Sequence, residues 1–157
     1  MTGNKVLVVY YSRTGTTKKV SEKLKESYGY TIEEIKDNKN RKGVINYILS
    51  GKDSIKKTDT NIDEPKYNPE DYDLIIIGTP VWASNMTPAI RKYLDTYKDK
   101  INKFAVYTCE KGSGGVKAVL GIESLLGKKG ECALILNEKE VKDDSFSSKL
   151  SLFENIE

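Results

Sequence analysis

Three short stretches of this chain combine residue types suited to binding or redox chemistry. The first is "SRTGTT", Ser12 to Thr17, where an apolar run gives way to a charged, helix-like segment. Four hydroxyl side chains (Ser12, Thr14, Thr16, Thr17) surround the single Gly15, with Arg13 among them. A helix N-terminus presents free backbone N–H groups and the positive end of the helix dipole. Glycine lets the backbone turn tightly there, and neutral hydroxyls add donors, so the stretch could cradle a phosphate. A hydroxyl-rich turn that only caps the helix fits the same residues. The loop is neither a Walker A sequence nor G-x-G-x-x-G.

The second stretch is "GTPVWASNMTP", Gly78 to Pro88, and contains the chain's one tryptophan, Trp82. An indole in a loop can stack on a planar ring system, worth about 0.5–1.5 kcal/mol beyond burial. The alternative is a ring folded down onto the core. Thr87 followed by Pro88 predicts a helix start, with threonine at the N-cap and proline in the first turn. The third stretch is "TCEKGSGG", Thr108 to Gly115, whose glycines let backbone amides approach a flat ligand. Cys109 reads there as a small apolar filler. Cys132 is expected at the opposite end of the sheet, too far away for a disulfide.

These stretches need a scaffold, and the apolar runs supply it. "KVLVVY" (5–10), "TIEEI" (31–35), "LIII" (74–77), "FAVY" (104–107) and "CALIL" (132–136) are short and mostly continuous, as in strands covered on both faces. Helical spacing lies between them: Val20, Leu24 and Tyr28; Ile90, Tyr93, Leu94 and Tyr97; Val119, Ile122 and Leu126. Phe146, Leu150 and Phe153 mark a short C-terminal helix. Val44, Ile45, Ile48 and Leu49 form one candidate helical face, and the stretch holding Pro65 and Pro69 reads as irregular. The alternation predicts an α/β fold, a three-layer, doubly wound, five-stranded parallel sheet in a single domain spanning 1–157. Ligands of such sheets bind beyond the carboxyl ends of the strands, where all three stretches would lie.

Composition narrows the function. The chain has 157 residues, 26 basic and 23 acidic, a net charge of +3 that is well mixed, and no histidine. A nucleic-acid binder would show a basic stripe, and histidine-dependent triads are excluded, with zinc sites disfavoured. No run approaches a membrane span, and the start shows no secretory signal, so a cytoplasmic protein without bound metal is expected.

"SRTGTT", "IIIGTPVW" (75–82) and "MTPAIRKYL" (86–94) together resemble flavodoxins and flavodoxin-like FMN oxidoreductases, whose phosphate loop follows T/S-x-T-G-x-T. The resemblance implies strand order 2-1-3-4-5 and bound FMN. Ser12, Thr14, Gly15, Thr16 and Thr17 would hold the phosphate, with Arg13 in the same loop but pointing outward. Thr79, Pro80, Val81, Trp82 and Ala83 would border the flavin ring, with Trp82 stacked on one face. Cys109, Glu110, Gly112, Gly114 and Gly115 would wrap its edge, largely through backbone atoms.

The flavin would carry the chemistry, and the phosphate charge and apolar Trp82 face would disfavour its anionic reduced form. The expected function is electron transfer between a donor and an acceptor, either a redox partner protein or a small molecule such as a quinone. NAD(P)H is a candidate reductant, and the chain a monomer or homodimer. Shuttle and NAD(P)H-dependent reductase both remain open, as does a non-redox module of the same fold that binds a phosphorylated ligand or a protein. The net charge of +3, where electron-transfer flavodoxins are strongly acidic, and the absence of an aromatic residue from the third loop lean towards a reductase.

Overall fold

In a computed structural model, residues 4–37, 62–154 and 156 are described. The chain alternates strand and helix as the apolar runs predict. The order is β1 (Val6–Tyr10), α1 (Thr16–Tyr28), β2 (Thr31–Glu34), β3 (Leu74–Pro80), α2 (Pro88–Tyr97), β4 (Lys103–Glu110), α3 (Gly115–Leu126), β5 (Ala133–Asn137) and α4 (Glu138–Lys142). A 3-10 stretch, Ser145–Phe153, follows. The five strands are all parallel, in the order β2-β1-β3-β4-β5. β3 and β4 each run three residues beyond the carboxyl end of the apolar run that signalled them, which carries Thr79, Pro80, Cys109 and Glu110 into the sheet.

The continuous runs are continuous because both faces are covered. Leu7, Val9, Ile75, Ile77, Phe104 and Val106 face α2 and α3, meeting Ala89, Ile90, Tyr93, Val119 and Ile122. The alternate residues Val6, Val8, Leu74, Ile76, Ala105 and Tyr107 face α1 and the C-terminal 3-10 stretch, meeting Val20, Leu24, Phe146, Leu150 and Phe153. Each fully buried aliphatic side chain contributes about 1.5–3 kcal/mol. The C-terminal apolar spacing therefore packs as predicted, but on a 3-10 geometry. β2 is an edge strand with one buried acid, Glu33, whose carboxylate accepts the backbone N–H groups of Lys66 and Tyr67. That bond fastens the irregular segment before β3, in which a short 3-10 turn begins at Pro69. The predicted Val44–Leu49 helical face lies outside the described residues.

Apolar spacing does not mark α4. Its signal is a capping box: the Asn137 side chain accepts from Lys139 N–H while Glu140 accepts from Asn137 N–H. No helix among the described residues is long and apolar enough to cross a membrane.

One strand contact sets the position of α1. Gly78 of β3 lies beside Tyr107 of β4 in the parallel register. The Tyr107 ring occupies the space a side chain at 78 would need, since a Cβ there would fall 2.2 Å from Tyr107 Cζ. The ring thus crosses β3, and its hydroxyl donates to the Thr17 carbonyl at 2.9 Å while accepting from the Ser21 hydroxyl. Overpacking this contact is expected to be costly. Gly78→Ala should destabilise the fold by roughly 3 kcal/mol, read as a lower urea midpoint with an unchanged slope.

Candidate functional site

The carboxyl ends of β1, β3 and β4 release the three loops, so the sheet order gathers the three stretches at one end. The first loop ends in Gly15, the N-cap of α1, with φ 100°, a left-handed conformation that favours glycine. Ser12 Oγ accepts the N–H of Gly15 at 3.1 Å and of Lys18 at 3.2 Å, so Ser12 caps the helix. The backbone N–H groups of Thr14, Thr16 and Thr17 find no acceptor among the described residues. Thr14 and Gly15 are exposed, and a Cβ on Gly15 would meet nothing within 4 Å. Free amides, a helix dipole and open space converge there, which fits a phosphate.

α3 begins in nearly the same way, on Gly114 with φ 103°. Here, however, the Glu110 carboxylate accepts the Gly115 N–H at 2.9 Å. The chain's own anion already occupies that helix end, whereas α1 carries only a neutral hydroxyl. An external anion is therefore drawn to α1 and repelled from α3.

The second loop is a two-residue hairpin. Trp82 and Asn85 exchange both backbone hydrogen bonds at 3.0 Å across Ala83 and Ser84, which have φ 52° and 62°. Such tight turns need positive φ at both central residues. Without glycine each position costs about 1 kcal/mol. Gly114 packs directly on the tip: a Cβ there would lie 2.9 Å from Ser84 Cα and 3.0 Å from Val81 Cγ1. The second and third loops are thereby held together, joined also by a Val81 N–H bond to the Cys109 carbonyl at 3.0 Å.

Several site residues lie differently from expectation. Arg13 does not point outward: it is half-buried, with its guanidinium 5.9 Å from the centre of the Trp82 ring. Trp82 is only 6% exposed, with Tyr11 edge-on at 5.6 Å, so in this structure it packs onto the core. Its surroundings are thus not the purely apolar face expected, because the Arg13 cation lies against the ring. Thr79 is fully buried and braces the loop beneath, donating to the Pro80 carbonyl at 2.8 Å and accepting Thr87 N–H at 3.2 Å. Thr87 holds the N-cap position of α2 but makes no side-chain cap.

The Thr17 hydroxyl is also turned inward, facing the Cys109 thiol without a well-formed hydrogen bond, so only its backbone serves the loop. Cys109 is a core filler on the α1 side, as its residue type predicts. Pro80 and Val81 are half-buried, while Ala83 and Gly112 are exposed.

A cleft of about 680 Å³ lies elsewhere, lined by Asn4, Asp73, Lys98, Lys103 and Lys128 among others. It sits at the amino ends of the strands, the wrong end for ligands of this sheet, and its charges are mixed.

Burial raises the Cys109 thiol from 9.0 to about 12. Tyr10 rises from 10.0 to about 12, mainly through burial and then the Glu34 and Glu22 charges. The unfolded chain releases both protons first. Stability should therefore be fully present below about pH 9 and fall as pH rises towards 12. At pH 8 a thiol reagent should modify half-buried Cys132 in the native protein and reach Cys109 only on unfolding; equal rates would contradict the assignment.

A family model described as Flavodoxin matches residues 5–129. Solved structures share the fold. A Lactobacillus acidophilus NCFM flavoprotein in complex with FMN is 23% identical, covering 90% of this chain and 99% of that one, with a TM-score of 0.66. A putative flavoprotein of Bacteroides eggerthii is 20% identical, with 95% and 97% covered and a TM-score of 0.73. One of Bacteroides uniformis is 21% identical, with 92% and 99% covered and a TM-score of 0.71. No curated protein matches the sequence significantly.

Proposed function

The chain belongs to the flavodoxin family, and from that premise we propose that it binds FMN and carries electrons between a donor and an acceptor. The observation that carries this reading is the α1 N-terminus. Left-handed Gly15 and the free amides of Thr14, Thr16 and Thr17 form an open anion cradle, next to a loop that holds the one tryptophan. The FMN complex of the Lactobacillus acidophilus flavoprotein, which shares the fold, supports it.

In this reading Thr14, Gly15, Thr16 and Thr17 hold the phosphate, mainly through backbone N–H groups. Ser12 keeps those amides in place by capping the helix. The hairpin Trp82–Asn85 and the Gly112–Gly115 loop flank the ring. FMN supplies the electron chemistry; the protein positions it and excludes water. Stacking on Trp82 requires Arg13 to leave the ring face. A cation–π contact of this kind is worth about 0.5–1 kcal/mol, comparable with or less than the aromatic stacking that replaces it. Lys18 and Lys19 have no part in phosphate binding: Lys18 is exposed, and Lys19 pairs with Asp144 at 2.8 Å.

The protein should be yellow as purified, or take up FMN with quenching of Trp82 fluorescence. A colourless protein that ignores FMN would leave the non-redox module as the reading. FMN should bind at least about tenfold more tightly than riboflavin, since charge-assisted bonds to the phosphate are lost with the latter. Thr14→Pro, which removes one cradle amide, should shrink that ratio by about tenfold. Lys18→Ala with Lys19→Ala should leave FMN affinity within about twofold at physiological salt. Equal affinity for FMN and riboflavin would contradict the phosphate assignment.

A further inference from the structure

We infer that the outer face of α3 is the docking surface for an acidic redox protein. The inference rests on the electron-transfer reading above. Val116 is 63% exposed and Leu120 57%, the most exposed large apolar residues among those described. Four residues apart, they share one helix face. An isolated exposed aliphatic needs no explanation, but a pair on one face beside a ligand site does.

The patch adjoins the site. Gly114, two residues before Val116, packs against Ser84 at the tip of the Trp82 hairpin, where Ala83 is also exposed. A protein resting on Val116 and Leu120 would therefore sit at the mouth of the proposed flavin pocket, as short-range electron transfer requires.

The surrounding charge selects the partner. Lys117 is exposed beside Val116, and Lys111 is exposed in the loop that leads into α3. Exposed Lys139 lies at the same end, because the Asn137 side chain bonds both the Lys111 carbonyl and the Lys139 N–H. The neighbouring acids Glu110, Glu123, Glu138 and Glu140 are half-buried, and three are engaged: Glu110 accepts from Gly115 N–H, Glu123 from Gly130 N–H and Glu140 from Asn137 N–H. An apolar centre with a lysine rim complements an acidic surface. A second copy of this chain would set lysine against lysine. The small apolar area fits a transient encounter of the kind redox pairs make.

The probes are an oxidised plant-type [2Fe–2S] ferredoxin, a small acidic redox protein, and cytochrome c, a basic one. Binding is measured by calorimetry, independently of turnover, and flavin content is determined separately. A colourless protein would count against the flavin reading, whereas failure of the unaltered, flavin-loaded protein to bind ferredoxin would count against the docking reading. The ferredoxin should bind, and its affinity should fall about tenfold between ~50 and ~300 mM salt. Cytochrome c should not bind. Val116→Ser with Leu120→Ser, and separately Lys117→Glu, should each weaken ferredoxin binding at least about fivefold and leave FMN affinity unchanged. Variants that bind ferredoxin like the parent, or cytochrome c binding as tightly as ferredoxin, would overturn the inference. So would sedimentation as a dimer that the Val116/Leu120 variant dissociates.

Discussion

Tyr107 reaches from the fourth strand across the third to the first helix, and it can do so only because residue 78 has no side chain. Its buried hydroxyl meets the Thr17 carbonyl and the Ser21 hydroxyl. A buried phenol must find partners, so the contact fixes α1 in height and rotation as well as depth. The proposed phosphate cradle is the N-terminal turn of that same helix. Sheet register, one missing Cβ and one hydroxyl thus determine where the free amides of Thr14, Thr16 and Thr17 stand. A small error in this contact would move the whole cradle.

Electrostatics then divides two nearly identical helix ends. α1 and α3 both start on a left-handed glycine and both finish on one, at Gly29 and Gly127. What separates them is the group that meets the first amides: the Ser12 hydroxyl at α1, the Glu110 carboxylate at α3. One end keeps its positive potential for a ligand and the other is neutralised from within. α3 is then left to wall the site, and Gly114 lets it close against the strained Ala83–Ser84 turn. The left-handed cost at those two residues is small beside the buried core under Trp82, which holds the turn in place.

The strands, their parallel order and the helix faces were legible in the sequence because burial on both faces leaves runs such as "LIII" that no solvent-facing strand would carry. The glycine turn that opens α1 was legible for a related reason: a left-handed turn needs glycine, and a helix start favours hydroxyls. The Thr87–Pro88 helix start was legible too, although the threonine hydroxyl ended up idle as a cap. α4 carried its capping box openly in Asn137 and Glu140, a signal that apolar spacing alone passes over.

The roles of individual side chains around the site were decided elsewhere. Arg13 and Trp82 are 69 positions apart, and only the β1–β3 pairing brings the guanidinium over the indole. Thr79 and Thr17 carry the same hydroxyl as Thr14, yet both are turned into the core, because strand alternation and helix phase set their direction. The sequence by itself determined the layers and the glycine turn, since these follow from local conformation and from which residues avoid water; the strand order came from the family resemblance and is fixed by the pairing of strands. The tertiary structure decided which hydroxyls face a ligand, which carboxylate plugs a helix end and which lysines ring an apolar patch. Those depend on contacts between strands far apart in the chain, and no local pattern encodes them.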